Sequence, residues 1–406
     1  MIFDKEQINE LRAEIEREWL ENIAPFWFRH APDEERGGFR GFVSSDLRYD
    51  ERAEKGIILN SRILWTFARA FEIYGDRDHR RMADRAFHYI DEKFFDNENG
   101  GVFWAVDHLG APSDTKKRPY SQAFALYALS QYFAASGENK SFERAFELFE
   151  TLETHCRDTR FDGYLETFER NWTLAEDLRL SEVDADEKKS MNTHLHVLEA
   201  YASLFRVSGD ETVRARLRAL IGIFLEKIIH PSGDFLQMFF DEDWTPKSRV
   251  ASLGHDIEAS WLLCEAAEVL GDAPLLKRVR KAALKMALAV RAKGLAADGS
   301  LLYEMENDSV LDAKRDWWVQ AEAVVGLTNA FELSGDEDLL AAAFDVWDFI
   351  KAKVIDRRFG EWFWTIDDKG FPASDKPKIS GWKCPYHNGR MCFEMRERLK
   401  KLSERG

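Results

Sequence analysis

Three of the ten histidines stand in dense polar company. His196 lies in Ser190-Met-Asn-Thr-His-Leu-His-Val-Leu-Glu, His255 in Ser252-Leu-Gly-His-Asp-Ile-Glu-Ala-Ser-Trp, and His387 in Gly381-Trp-Lys-Cys-Pro-Tyr-His-Asn-Gly-Arg. Imidazole titrates nearest to neutral pH, so it suits proton transfer to and from carbon or oxygen. One buried histidine is more often a packed core residue. Three with acids beside them point to acid–base chemistry. Asn192 and His196 are four apart, and His255 and Glu258 three apart, so on a helix each pair shares a face. Arg62, in Leu59-Asn-Ser-Arg-Ile-Leu-Trp, can pair with Glu258 or Glu322, or grip an oxygen that gains charge. Trp318, in Trp317-Trp-Val-Gln-Ala-Glu, and Trp382, five residues before His387, offer indole faces for a ring-shaped ligand or for packing. Tyr120, in Tyr-Ser-Gln, offers a hydroxyl. His79, His88, His108, His155, His194 and His230 lack such company and read as packing or surface residues, with His108 on a hairpin that could reach a cavity.

Metal and nucleotide chemistry find little support. There is no HExxH pair and no dense carboxylate cluster, and the three histidines are far apart in sequence. No P-loop or dinucleotide fingerprint occurs; Gly37-Gly38 and Gly100-Gly101 read as turn glycines. The expectation is an enzyme with no metal and no cofactor.

One phrase recurs and explains how such distant residues can meet. A polar residue opens an apolar-rich helix that ends in Gly-Asp or Gly-Glu, at Gly75-Asp76, Gly137-Glu138, Gly209-Asp210, Gly271-Asp272 and Gly335-Asp336. Glycine is favoured just past a helix C-terminus, and the acid can cap the next helix. Aligned on these glycines, Arg62, His196, His255, Glu258, Trp318 and Glu322 all fall within the first turns of corresponding helices. Between these apolar phrases run amphipathic ones such as Arg80-Arg-Met-Ala-Asp-Arg-Ala-Phe-His-Tyr-Ile, with apolar residues at spacings of three and four. After each comes a Gly-led aromatic stretch, six in all, starting at Gly37, Gly100, Gly163, Gly233, Gly299 and Gly360. These read as short strands or hairpins. Helices at about residues 5–20 and 387–403 would close the ring. The pattern predicts an all-α fold, an (α/α)6 barrel with short β-hairpins in the loops at one end, forming a single domain over 1–406.

Composition narrows the partners. The formal net charge of −16 argues against nucleic acid. No apolar run is long enough to span a membrane. The N-terminus lacks the basic and apolar regions of a signal peptide. Cys156, Cys264, Cys384 and Cys392 form no CxxC pair and read as reduced thiols. The expectation is a cytoplasmic protein, monomeric or weakly dimeric.

At the motifs quoted above the chain resembles the N-acylglucosamine 2-epimerase superfamily, and within it the cellobiose 2-epimerases. The matching stretches run from Leu59 to Cys392, and they include Trp382-Lys-Cys-Pro-Tyr-His-Asn-Gly-Arg-Met-Cys. The resemblance implies an (α/α)6 barrel and a cofactor-free reaction. In that reaction the reducing-end glucose of a β-1,4-linked disaccharide of the cellobiose, lactose or mannobiose class is inverted at C2. It implies His255 and His387 as the proton-transfer pair. It also implies His196, Arg62, Asn192, Glu258 and Glu322 around the sugar oxygens, and Trp318 and Trp382 against the rings. Rival readings are a mannose 2-epimerase or aldose–ketose isomerase on the same fold, and an (α/α)6 glycoside hydrolase using Glu258 and Glu322 as opposed carboxylates. A non-enzymatic sugar-binding barrel would leave the polar helix ends unexplained.

Overall fold

The computed structural model describes residues 3–182 and 184–405. In chain order the helices are α1 (Lys5–Arg17), α2 (Ala24–His30), α3 (Ile57–Tyr74), α4 (Arg77–Lys93), α5 (Pro119–Ser136), α6 (Asn139–Thr151), α7 (Met191–Ser208), α8 (Glu211–Ile223), α9 (Leu253–Leu270), α10 (Ala273–Gly294), α11 (Trp317–Ser334), α12 (Glu337–Phe349) and α13 (Tyr386–Arg405). Helices α3, α5, α7, α9 and α11 each have 18 residues. Each ends at one of the five recurrent glycines, which adopt φ of 62–75°, a conformation that costs glycine nothing and other residues more. The acid that follows caps the next helix, as where Asp210 accepts the Thr212 and Val213 amides.

Packing closes the ring. α3 lies against α5, α5 against α7, α7 against α9, α9 against α11, α11 against α13, and α13 returns to α3. Outside these, α4, α6, α8, α10 and α12 each cover the inner helix that precedes them, and α1 covers α13. The first and last helices therefore make the sixth pair. Inner helices touch protein on nearly all sides, which is why they are apolar nearly all round. Outer helices bury one stripe, as α4 does with Met82, Ala83, Ala86, Phe87 and Ile90. This is the (α/α)6 barrel expected from the repeat. The N-terminal element is longer than expected: α1 runs through a wider turn, Glu18–Ile23, into α2. Among the described residues no helix is long and apolar enough to cross a membrane.

The strands are shorter than the aromatic stretches suggested. β1 (Lys55–Gly56), β2 (Ala105–Val106) and β3 (Pro112–Asp114) form one antiparallel sheet. β4 (Lys189–Ser190) pairs with β5 (Phe239–Phe240), and β6 (Val250–Ser252), β7 (Glu304–Glu306) and β8 (Ser309–Asp312) form a second three-stranded sheet. β9 (Arg315–Asp316) pairs with β10 (Thr365–Ile366). The Gly-led segments themselves make single bridges back to the end of the outer helix, as at Phe95↔Val102 and Ile355↔Trp362. Side chains on the inner helices hold them there. The fourth residue of an inner helix accepts the amide just after the turn: Gln122 from Val102, His194 from Tyr164, Asp256 from Leu236 and Gln320 from Leu301. Because these bonds replace strand pairing, the loops need little sheet to be ordered.

Candidate active site

The sixth residues of α3, α7, α9 and α11 are Arg62, His196, Glu258 and Glu322. Equal helix lengths and equal register bring them to one level of the barrel, at the hairpin end. There a cavity of about 230 Å³ is lined by Arg62, Tyr120, Asn192, His196, His255, Glu258, Trp318, Trp382 and His387. Nine of the ten residues expected in the site thus line one space, gathered from six helices and a loop. Three larger clefts are seen among the described residues, but none gathers these histidines, so volume alone does not mark the site.

The tenth, Glu322, lies elsewhere than expected. It does not line the cavity but sits behind His387, accepting from His387 Nδ1 at 2.7 Å, Arg390 Nη2 at 2.7 Å and Trp261 Nε1 at 3.0 Å. Its side-chain partners there are an imidazole, a guanidinium and an indole. Arg62 pairs with neither carboxylate. It donates to the Tyr120 hydroxyl at 3.0 Å, lies 4.3 Å over the Phe124 ring, and keeps its charge toward the cavity. His108 is not among the lining residues, and His194 is a buried packing residue bound to Ser190 O and the Tyr164 amide.

Behind the cavity one guanidinium joins three carboxylates. Arg390 Nη1 donates to Glu199 at 2.5 Å, and Nη2 donates to Glu258 at 2.5 Å as well as to Glu322. Glu199 in turn accepts from Tyr386 at 2.5 Å and from His196 Nδ1 at 3.1 Å. All are buried. A group of Glu258, Glu322 and His387 has ligand atoms within 4.8 Å of one another, close enough for a metal ion. The Arg390 guanidinium already bridges the two carboxylates of that group, supplying the cation they need.

The electrostatics follow from burial. His255 and His387 are both pushed down to about 3, chiefly by desolvation of their charged forms. His196 is lowered for the same reason. Burial raises Glu258, and the neighbouring Glu322 charge adds to the rise. Burial also works to raise Glu322, but Arg390 and the His387 hydrogen bond outweigh it and hold the group ionised. The cavity therefore presents neutral imidazoles at neutral pH. Trp318 packs tilted against both, with ring centroids 4.7 Å from His255 and 5.6 Å from His387. Gly254 makes that placement possible, since a Cβ there would fall 2.6 Å from the Trp318 ring.

The family model described as N-acylglucosamine 2-epimerase (GlcNAc 2-epimerase) matches residues 37–388. The chain belongs to the N-acylglucosamine 2-epimerase family. It is a carbohydrate epimerase or isomerase by that membership. A cellobiose 2-epimerase from Bacteroides fragilis is 45% identical over 386 residues, 95% of this chain and 98% of that protein. The solved cellobiose 2-epimerase of Bacillus thermoamylovorans B4167 superposes with a TM-score of 0.92 at 39% identity, covering 96% of this chain and 100% of that one. A D-mannose isomerase structure shares the fold at 22% identity, with a TM-score of 0.82 and 97% and 98% of the two chains covered.

Within this family member, several cavity residues had no role in the sequence reading. Tyr303, Asp316, Trp317 and Trp364 line the cavity together with Leu180, Ser181 and Asp184 of the loop before β4. Burial pushes Asp316 up to about 6. Arg390 and Glu199 were missed as well. Glu199 carried a signal, since it lies three residues from His196 on a helix otherwise almost free of charge.

Proposed function

We propose that the chain inverts C2 of the reducing-end glucose of β-1,4-linked disaccharides, converting cellobiose to glucosyl-mannose and lactose to epilactose. The carrying observation is the pair of neutral imidazoles, His255 and His387, on different helices of one aromatic-lined cavity. The cellobiose 2-epimerase relatives, near full length, support the substrate class.

In this reading the sugar ring opens first, with an acid at O5 and a base at O1; His196 is placed to assist. One imidazole of the pair then takes the C2 proton, made acidic by the adjacent aldehyde. The electron pair delocalises into an enediolate, and Arg62, free of any carboxylate partner, stabilises the charge on O1. The other imidazole, protonated from solvent for this step, gives that proton to the opposite face, the first releases the C2 proton to solvent, and the ring closes. Protons balance, and no electrons are gained or lost. Glu258 and Asn192 hold sugar hydroxyls, Trp318 faces the reacting ring, and Trp382 faces the second sugar. The same placement weakens the hydrolase reading, because Glu322 is withdrawn behind His387 and cannot oppose Glu258 across a glycosidic bond.

Separate incubation with cellobiose, lactose, glucose and mannose, followed by chromatography, tests the proposal. A 2-epimer from each disaccharide is expected. A ketose as main product would make the chain an isomerase, and cleaved disaccharide would make it a hydrolase. Product formed in D2O is expected to carry deuterium at C2.

A further inference from the structure

A cleft of about 750 Å³ lies away from His196, His255 and His387, between α10 and the loops that flank β6 and β7. The internal repeat shows what is unusual about it. In four other units a buried lysine fills the corresponding space. Lys55 pairs with Asp33 at 2.8 Å, Lys117 with Asp96 at 3.1 Å, Lys189 with Asp158 at 2.6 Å and Lys378 with Asp356 at 2.8 Å. Each also donates to a carbonyl of the Gly-turn, as Lys117 does to Gly100 and Lys378 to Gly360. Each ammonium lies over an aromatic ring; Lys117 is 4.5 Å from Phe103, and Lys378 is 4.5 Å from Phe363.

In the fourth unit the register places Ala251, two residues before its inner helix, where Lys55, Lys117 and Lys189 stand before theirs. Ala251 pairs with Met305 in β6–β7, as Lys55 pairs with Val106 and Lys189 with Phe240. The turn aspartate is replaced by His230, which stacks on Phe235 at 4.4 Å. Leu236, like Val102, gives its amide to the fourth residue of its inner helix, so Gln237 holds the place of Phe103; Phe235 brings an aromatic ring to the cleft from a different position, and the ammonium is gone. A carboxylate has meanwhile appeared on the inner helix. Asp256 occupies the fourth helical position, where α3, α5, α7 and α11 carry Asn60, Gln122, His194 and Gln320. Asp256 lines the cleft, is 1% exposed, accepts the Leu236 amide at 2.7 Å, and has no lysine or arginine acting on it. Burial with no counter-cation pushes its carboxyl up. Of the cations that line the cleft, Lys293 pairs with Asp308 and Lys247 with Asp241; Arg249 lines it too, and none of the three acts on Asp256.

We infer that this cleft is a second binding site, for a small organic ammonium. Its cationic head would meet Asp256 and the turn carbonyls, and its apolar body would lie against Phe235. It would do from solution what the chain's own lysines do in the other units. Ion pairing to a buried carboxylate and cation–π contact are the recognised attractions.

Benzylamine tests this, with benzyl alcohol as the uncharged match, by calorimetric titration of the intact protein with cellobiose present to occupy the histidine cavity. Expected is amine binding at least roughly tenfold tighter than alcohol binding, a difference of about 1.4 kcal/mol. Asp256→Asn, which keeps an acceptor for Leu236, is expected to erase that difference. Ala251→Lys is expected to abolish amine binding and raise Tm by supplying the ammonium from within. Equal binding of amine and alcohol, no amine binding at millimolar concentration, or unchanged amine affinity in Ala251→Lys would overturn the inference. If Asp256→Asn fails to fold, the Ala251→Lys result decides alone.

Discussion

His387 and His255 face the same cavity and are both held neutral by burial, yet their supports differ in kind. His387 Nδ1 lies 2.7 Å from Glu322, an ionised carboxylate that can only accept. Nδ1 must therefore carry the proton, which leaves Nε2 as a lone pair on the cavity side. His255 Nδ1 lies 2.7 Å from the Ser252 hydroxyl, which can donate or accept. His255 can therefore hold its proton on either nitrogen. One imidazole is fixed as a base, while the other is free to arrive as base or acid. An epimerase needs a proton removed from one face and another supplied to the opposite face, so this asymmetry suits the proposed chemistry. It also teaches that equal pKa depression does not mean equal role.

The most severe test removes each imidazole. His387→Ala and His255→Ala are each expected to cost about 10²–10⁴-fold in kcat, the range for a positioned acid or base. The double variant is expected to be little worse than either, since groups serving one step are non-additive. Steady-state kinetics on cellobiose checks this. Near-normal turnover by either folded single variant would remove that residue from the pair, and full additivity would separate the two into different steps.

Next comes Arg390, which supports only one side of the comparison. Arg390→Met leaves Glu199, Glu258 and Glu322 sharing a buried space without their cation. Breaking a buried pair by removing one partner costs about 3–5 kcal/mol. Chemical denaturation is expected to show a loss on that scale, with the Arg390→Lys variant intermediate because an ammonium cannot fork to three acids. A change below about 1 kcal/mol in Arg390→Met would mean that the carboxylates are neutralised another way.

Why was this half of the site hard to read in sequence? The inner helices were legible because glycine and a capping acid end each one in the same way. The site residues were legible because Arg62, His196, Glu258 and Glu322 recur at one register. Arg390 breaks that register. It sits fifth in α13, a helix whose later turns, such as Arg396-Glu-Arg, carry surface charge, so nothing local marks it as buried. Glu322 lies behind His387 and not on the cavity wall, because spacing places a residue on a face but not at a depth. Leu180, Ser181 and Asp184 lie in a loop with no periodicity, and only its packing brings them to the cavity mouth. The fourth-unit cleft is written as an absence, Ala251 for lysine, which shows only once the lysine pairs of the other units have been seen.

Smaller effects should separate the two supports themselves. Glu322→Gln removes the carboxylate that fixes His387, and roughly 10–100-fold is expected in kcat, as for other residues that orient a functional histidine. Ser252→Ala is expected to cost under about tenfold, because water in the open cavity can replace a hydroxyl beside His255. The pH dependence gives a second reading. Both imidazoles are pushed down to about 3, so they stay neutral as pH falls through the ordinary histidine value of about 6.5. The acid limb of kcat/KM is expected below that value. The sign for stability is the same: the unfolded chain takes up protons below about 6.5 that the folded pair refuses, so these histidines lower stability as pH falls. An acid limb centred near 6.5 would show that at least one imidazole is well solvated, with His255 the candidate.

The finest distinction concerns Trp382, which opens the loop leading to His387. If it only braced that histidine, its loss would damage every substrate alike. Its ring packs instead toward the opposite side, 5.9 Å from Tyr120 and 6.0 Å from Trp104, and it keeps partial exposure at the cavity. That places an indole face where a second sugar can stack, while Trp318 stays between the two imidazoles. Trp382→Ala is therefore expected to lower kcat/KM for cellobiose about five- to thirty-fold more than for mannose, the equivalent of about 1–2 kcal/mol of stacking. Turnover of both sugars, measured side by side in the wild type and the variant, provides the check. Equal losses on the two would return Trp382 to the role of a brace, leave the distal sugar without its platform, and favour a monosaccharide enzyme on this barrel.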